Sequence, residues 1–252
     1  MPLPEPEESM ETLIARDEKY RKILKAVQIV YGLTGIALAV NGILHKSLYD
    51  SLLPLATLLL IPGLLLVRRL FGWKGGWQLE TYIYLFSYLS WSLGGAASVY
   101  VLVPGYDKVI HCLSGVFVGI MALAFYEMLE RRHSKEGANP ATGCFFVFFA
   151  SMAVAGLFEL GEYVASPLIG RDLQNVGRTG VGDTMGDMFV CLLGTLVVNF
   201  LMIRSIRGKH DPLTDAVRVF ALQNTPRDRS NVSSAAISSK SSNLKAPLGF
   251  RN

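Results

Sequence analysis

GDTMGDMFVCLLGTLVVNF, running from Gly182 to Phe200, is apolar enough to cross a membrane, yet it opens with two aspartates four residues apart, Asp183 and Asp187. A span needs roughly 20 predominantly apolar residues. Five other runs of that kind precede this one in a chain of 252 residues, 51% of them hydrophobic. A soluble protein of this length would alternate amphipathic segments with polar loops. The pattern therefore predicts an all-α, polytopic membrane helical bundle.

Six spans are expected: Ala26–Leu44, Ser51–Val67, Thr81–Val103, Lys108–Leu129, Thr142–Ala165 and Asp183–Ile203. Pro62 and Gly63 lie near the end of the second, which is expected to kink or end there. Residues 1–25 read as an N-terminal segment, 26–205 as the membrane domain and 206–252 as a tail. MPLPEPEESMETLIARDEKYRK has no apolar core near Met1, so it is not read as a cleavable signal peptide. Within the tail, DPLTDAVRVFALQ suits a short interfacial helix. SNVSSAAISSKSSNLK is serine-rich, with too little apolar content to fold alone. No internal repeat is visible.

The net charge of +4 is not a nucleic-acid signal, because the basic residues cluster at the ends of apolar runs. Arg16, Lys19, Arg21, Lys22 and Lys25 flank the first span, and Arg68, Arg69 and Lys74 follow the second. Arg131, Arg132 and Lys135 follow the fourth, and Arg204, Arg207 and Lys209 the sixth. The opposite ends carry only Lys46, Lys108, Arg171 and Arg178. The positive-inside rule then places both termini in the cytoplasm. Cys112, Cys144 and Cys191 lie in or beside apolar runs without a C-x-x-C pair, and read as small core residues.

Ionisable residues interrupt the last three spans at helical spacing. Asp107 and His111 stand at i and i+4, Glu159 and Glu162 at i and i+3, and Asp183 and Asp187 at i and i+4, so each pair shares a helix face. The chain direction brings all six near the outer surface, because the fourth and sixth spans begin there and the fifth ends there. His45, at the outer end of the first span, is a further candidate. Glu127 lies 20 residues beyond Asp107, about 30 Å along a helix, and is excluded as a charge at the other interface. Asp183 also stands close to an N-cap position, where aspartate is favoured for helix reasons alone.

The loop SPLIGRDLQNVGRTGVG, Ser166–Gly182, carries Arg171 and Arg178 on the side where basic residues are scarce. It reads either as a flexible connection or as an anion clamp, with Gly177, Gly180 and Gly182 permitting tight turns. It is not a Walker motif.

The motifs D-K-x-x-H (Asp107, Lys108, His111), E-x-x-E-Y (Glu159, Glu162, Tyr163) and D-T-M-x-D with a following L-G (Asp183, Thr184, Met185, Asp187, Leu193, Gly194) carry a resemblance. The sequence resembles the YjdF-like family of bacterial inner-membrane proteins over most of residues 20–205. It is also distantly similar to VanZ-like proteins, associated with glycopeptide resistance. There Arg178, Asp187 and Gly194 fit loosely, while Cys191 stands in place of an asparagine. The resemblance implies a multi-pass protein of the bacterial inner membrane and leaves the activity open.

Three functions compete. In an enzyme, Asp107, His111, Glu159, Glu162, Asp183 and Asp187 would hold a divalent metal ion, all but Asp183 also being candidate acid–base groups. Lys108, Arg171 and Arg178 would grip a lipid-linked or anionic substrate. Intramembrane carboxylates also serve proton- or cation-coupled transporters, although carriers usually place their sites near the midplane. In the third reading the cluster only joins helices or docks a partner.

Overall fold

The computed structural model describes residues 10–133 and 139–225, in which every regular element is helical. They are α1 (Met10–Leu44), α2 (Leu48–Leu58), α3 (Leu60–Phe71), α4 (Trp77–Ser87) with a π-helix (Tyr88–Ala96), α5 (Val99–Leu102), α6 (Tyr106–His133), α7 (Pro140–Ile169), α8 (Val176–Thr179), α9 (Gly182–Ile206) and α10 (Pro212–Asn224). Among the described residues, five stretches are long and apolar enough to cross a membrane: Met10–Leu44, Leu48–Phe71, Tyr106–Glu130, Pro140–Ile169 and Gly182–Ile206. Large apolar side chains such as Leu33, Phe149, Leu157 and Phe200 are exposed on these helices. A continuous apolar exterior is what lipid covers and water does not tolerate.

The expected third span takes a mixed form. Trp77–Ser87 is α-helical, and the chain then widens into a π-helix as far as Ala96. Ala97 N–H bonds back to Ser92 O at 2.9 Å, five residues earlier. Tyr100 folds back over Gly94, where a Cβ would meet its ring. The second span bends earlier than expected. Pro62 has no N–H to give the Leu58 carbonyl, and its ring crowds that oxygen. The helix therefore divides at Leu59, whose N–H reaches Ala56 O at 3.1 Å. The chain then continues to Phe71, one turn past the expected end, and stops at Gly72 with φ +61°.

Two expected boundaries also move. α1 begins at Met10, well before Ala26, and buries Leu13, Asp17 and Leu24. The tail does not leave the body at residue 206, because α10 buries Val217, Phe220 and Ala221 against Leu79, Ile120 and Met202. Asp211 caps it, accepting from Leu213 N–H and Thr214 N–H. The serine-rich stretch after Thr225 lies outside the described residues.

α1, the loop before α4, and α10 meet at one end of the bundle. There Asp17, 1% exposed, accepts from Gly76 N–H and Gln78 N–H, both at 2.9 Å. A carboxylate on α1 thus satisfies the free amides at the start of α4. Asp17→Ala leaves those amides buried and unpaired, and is expected to cost about 3 kcal/mol. Thermal unfolding in detergent, beside Glu11→Ala at the first turn of α1, checks it. Equal midpoints would refute the capping role.

Candidate functional site

At the other end, α6, α7 and α9 bring their polar residues together, and the backbone explains how. Gly115 stands one turn after His111, and Cys191 one turn after Asp187. A Cβ on Gly115 would overlap the Cys191 carbonyl, and a Cβ on Gly194 would overlap the Cys112 carbonyl. Each helix therefore lays a glycine on the other's backbone. Small residues allow this closeness in membranes, and the crossing sets His111 against Asp187.

Asp107, His111 and Asp187 each offer a ligand atom, all within 4.8 Å of one another. His111 Nε2 lies 3.5 Å from Asp107 Oδ1 and 3.8 Å from Asp187 Oδ1. These separations are long for hydrogen bonds. They are slightly wider than the roughly 3.0–3.4 Å between ligand atoms that share one ion at about 2.1 Å. The His111 ring is held edge-on by Phe158, with ring centres 5.7 Å apart. Asp187 is buried, while Asp107 and His111 are partly open.

Lys108 is in the middle. Its ammonium donates to Asp183 Oδ1 at 2.6 Å and to Asp187 Oδ1 at 2.7 Å, with Asp107 Oδ2 at 3.4 Å. The residue read as a grip for substrate is thus the internal counter-ion of three aspartates. Asp183 does not cap α9. The N-cap is Val181, and the Asp183 carboxylate is held by Lys108 and by Asn175 Nδ2 at 2.6 Å.

Glu159 and Glu162 line the α7 side. Glu162 is in electrostatic reach of Glu159, His111, Asp107 and Asp187. Glu159 is 6% exposed. Its Oε2 accepts from Gln174 at 3.3 Å, and its buried Oε1 has no hydrogen-bond partner among the described residues. Among the described residues, three aspartates therefore share Lys108, and His111 stands in reach of Asp107, Asp187 and Glu162.

The loop after α7 reaches the cluster through amides rather than arginines. Gln174 holds Glu159, and Asn175, at φ +51°, holds Asp183. Gln174 also lines an open cleft of about 430 Å³ with Tyr163, Ser166 and Asp172. Arg171 lies over the Tyr49 ring at 4.1 Å, and Arg178 is exposed on α8. His45 is exposed and bonds to the Asn41 carbonyl of its own helix at 2.8 Å.

The sequence reading missed Gln174, Asn175 and the glycine contacts. Only the glycines had a signal, the G-V-F-V-G spacing of Gly115 and Gly119 in α6. The cysteines are all free thiols, with Cys191 buried and accepting from Ser114 Oγ at 3.8 Å.

Comparison with known proteins gives a family. The model described as predicted membrane protein (DUF2238) matches residues 26–208, and the chain belongs to that family. The YjdF-like resemblance is consistent with this membership. No curated protein and no solved structure matches the chain.

Proposed function

We propose that this membrane protein is a metal-dependent enzyme of the outer face of a bacterial inner membrane. In this reading Asp107, His111 and Asp187 hold a divalent cation, and the substrate is lipid-linked or anionic. The observation that carries the reading is the approach of three ligand atoms from two helices to within 4.8 Å. The surplus of carboxylates over bases supports it, since like charges in a water-poor setting call for a proton or a cation between them. A bound cation would polarise a phosphoryl or carbonyl oxygen, or activate water. Glu162, in electrostatic reach of His111, Asp107 and Asp187, would transfer protons beside it. The cleft is joined to the cluster through Gln174, which lines it and holds Glu159. The charge asymmetry of the sequence supports the orientation.

The test is metal content by mass spectrometry on detergent-purified protein. Near-stoichiometric divalent metal is expected in the wild type. His111→Ala and Asp187→Asn are each expected to lower metal affinity by about 10- to 100-fold or more, as loss of groups at a metal site does. A metal-free, folded wild type that also takes up no added Mn²⁺ would refute the proposal.

One observation favours cation- or proton-coupled transport as a second reading. Asp187, Cys191, Thr195 and Asn199 recur every fourth residue along α9. Thr195 Oγ1 donates to Ser151 Oγ at 2.7 Å in the fully buried interior. Under that reading Thr195→Val slows ion flux into proteoliposomes while metal content is unchanged.

A further inference from the structure

We infer that Lys108 is a tethered competitor for the proposed cation, and that loading the ion moves its ammonium off Asp187 while it keeps Asp183. This rests on the cation reading above and adds how the site is regulated. The ammonium and the ion need the same atom. Asp187 Oδ1 accepts from Lys108 Nζ at 2.7 Å, and it is also the Asp187 oxygen that faces His111 Nε2, at 3.8 Å. Two cations cannot share that oxygen at ligand distance, because their mutual repulsion is severe in a poorly screened site.

The geometry also provides a resting place for the displaced group. Asp183 offers Lys108 its Oδ1 at 2.6 Å and its carbonyl at 3.2 Å. Asp183 is itself pinned by Asn175, so it does not follow the ion. The Lys108 side chain is 35% exposed, so its ammonium can shift toward water without being buried alone. Gly186 lies alongside the lysine stem, where an added Cβ would come within 3.4 Å of Cε. A second observation points to a ligand beyond the lysine. With Lys108 in place, the nine-tenths buried Glu159 still has one oxygen without a partner among the described residues. One ammonium therefore does not complete the cluster.

The experiment measures Mn²⁺ binding to the full chain in detergent by electron paramagnetic resonance, for wild type, Lys108→Met and Lys108→Gln. Removing a resident competitor should tighten Mn²⁺ by at least ~10-fold, because apparent affinity falls with the fraction of sites already occupied. A second measurement uses the wild type alone, so that a misfolded variant does not decide the matter. Acetylation of Lys108 by acetic anhydride, read by peptide mass spectrometry, should be faster with Mn²⁺ than without. If wild type binds Mn²⁺ but the variants do not bind more tightly and acetylation is unchanged, the competition is overturned and the cation site stands. If neither wild type nor variants bind Mn²⁺, the cation site itself falls, and the competition with it.

Discussion

Alanine at Gly115 or Gly194 is expected to destabilise the bundle by about 3 kcal/mol, the upper end of ordinary overpacking. It is also expected to abolish the Asp107–His111–Asp187 cluster. The reason is the kind of atom that the new Cβ would meet. At both sites it is a backbone carbonyl of the facing helix, Cys191 for Gly115 and Cys112 for Gly194. A side chain can change rotamer, but a helical carbonyl moves only with its helix. α6 and α9 must therefore separate. His111 and Asp187 lie one turn above this contact, so separation also widens their 3.8 Å approach. Gly119→Ala is the control within α6. Its Cβ would lie 3.0 Å from Cγ2 and 3.2 Å from Cβ of the buried Val198, which must give by only a few tenths of an ångström, and the expected loss is about 1 kcal/mol. Gly156→Ala on α7 meets nothing within 4 Å and should be neutral or stabilising by about 0.5–1 kcal/mol through helix propensity. Thermal unfolding in detergent ranks the four variants. The argument fails if Gly194→Ala melts with Gly156→Ala.

The sequence carried the helical class and the location of the cluster because both depend on local period. Apolar length marks spans, and i, i+4 spacing marks faces. Chain direction then brings Asp107, His111, Glu159 and Asp187 to one end without any tertiary information. What it could not carry depended on rotation and on single contacts. Nothing in D-K-x-x-H says that Lys108 turns inward to neutralise three aspartates, since a lysine at that depth equally well reaches water. Arginines on the side where basic residues are scarce suggest a clamp by charge alone, yet the loop backbone aims Gln174 and Asn175 at the carboxylates. The π-helix at Tyr88–Ala96 left no periodic trace, and the return of Tyr100 onto Gly94 that accompanies it is a tertiary contact. The bend at Leu59 was half legible. Pro62 announced it, but the missing bond acts on the carbonyl four residues earlier.

Termination after His210, which removes α10, is expected to prevent accumulation of folded protein. Composition alone assigns Asp211 onward to a tail, and a tail is dispensable. The packing says otherwise. Phe220 stands edge-on to Trp73, with ring centres 5.1 Å apart, and is buried with Val217 and Ala221 among side chains of α4, α6 and α9. Asn224 grips the loop before α4 from both sides, accepting from Lys74 N–H at 2.7 Å and donating to Lys74 O at 2.9 Å. Asp215, 1% exposed, takes Arg16 at 2.7 Å and His210 at 3.0 Å. Removing α10 therefore strips the apolar cover from three helices and leaves the Asp17–Gly76 junction beside an open face. Phe220→Ala alone should cost about 3–5 kcal/mol. Asn224→Ala should cost about 2 kcal/mol, because it leaves two backbone groups without partners. The sum approaches the whole stability of a typical domain, about 5–15 kcal/mol. Expression with a fluorescent reporter and size-exclusion profiles in detergent decide it. A truncated protein that elutes as a single folded species would mean that α10 only rests on the bundle, and the two point variants would then be near neutral.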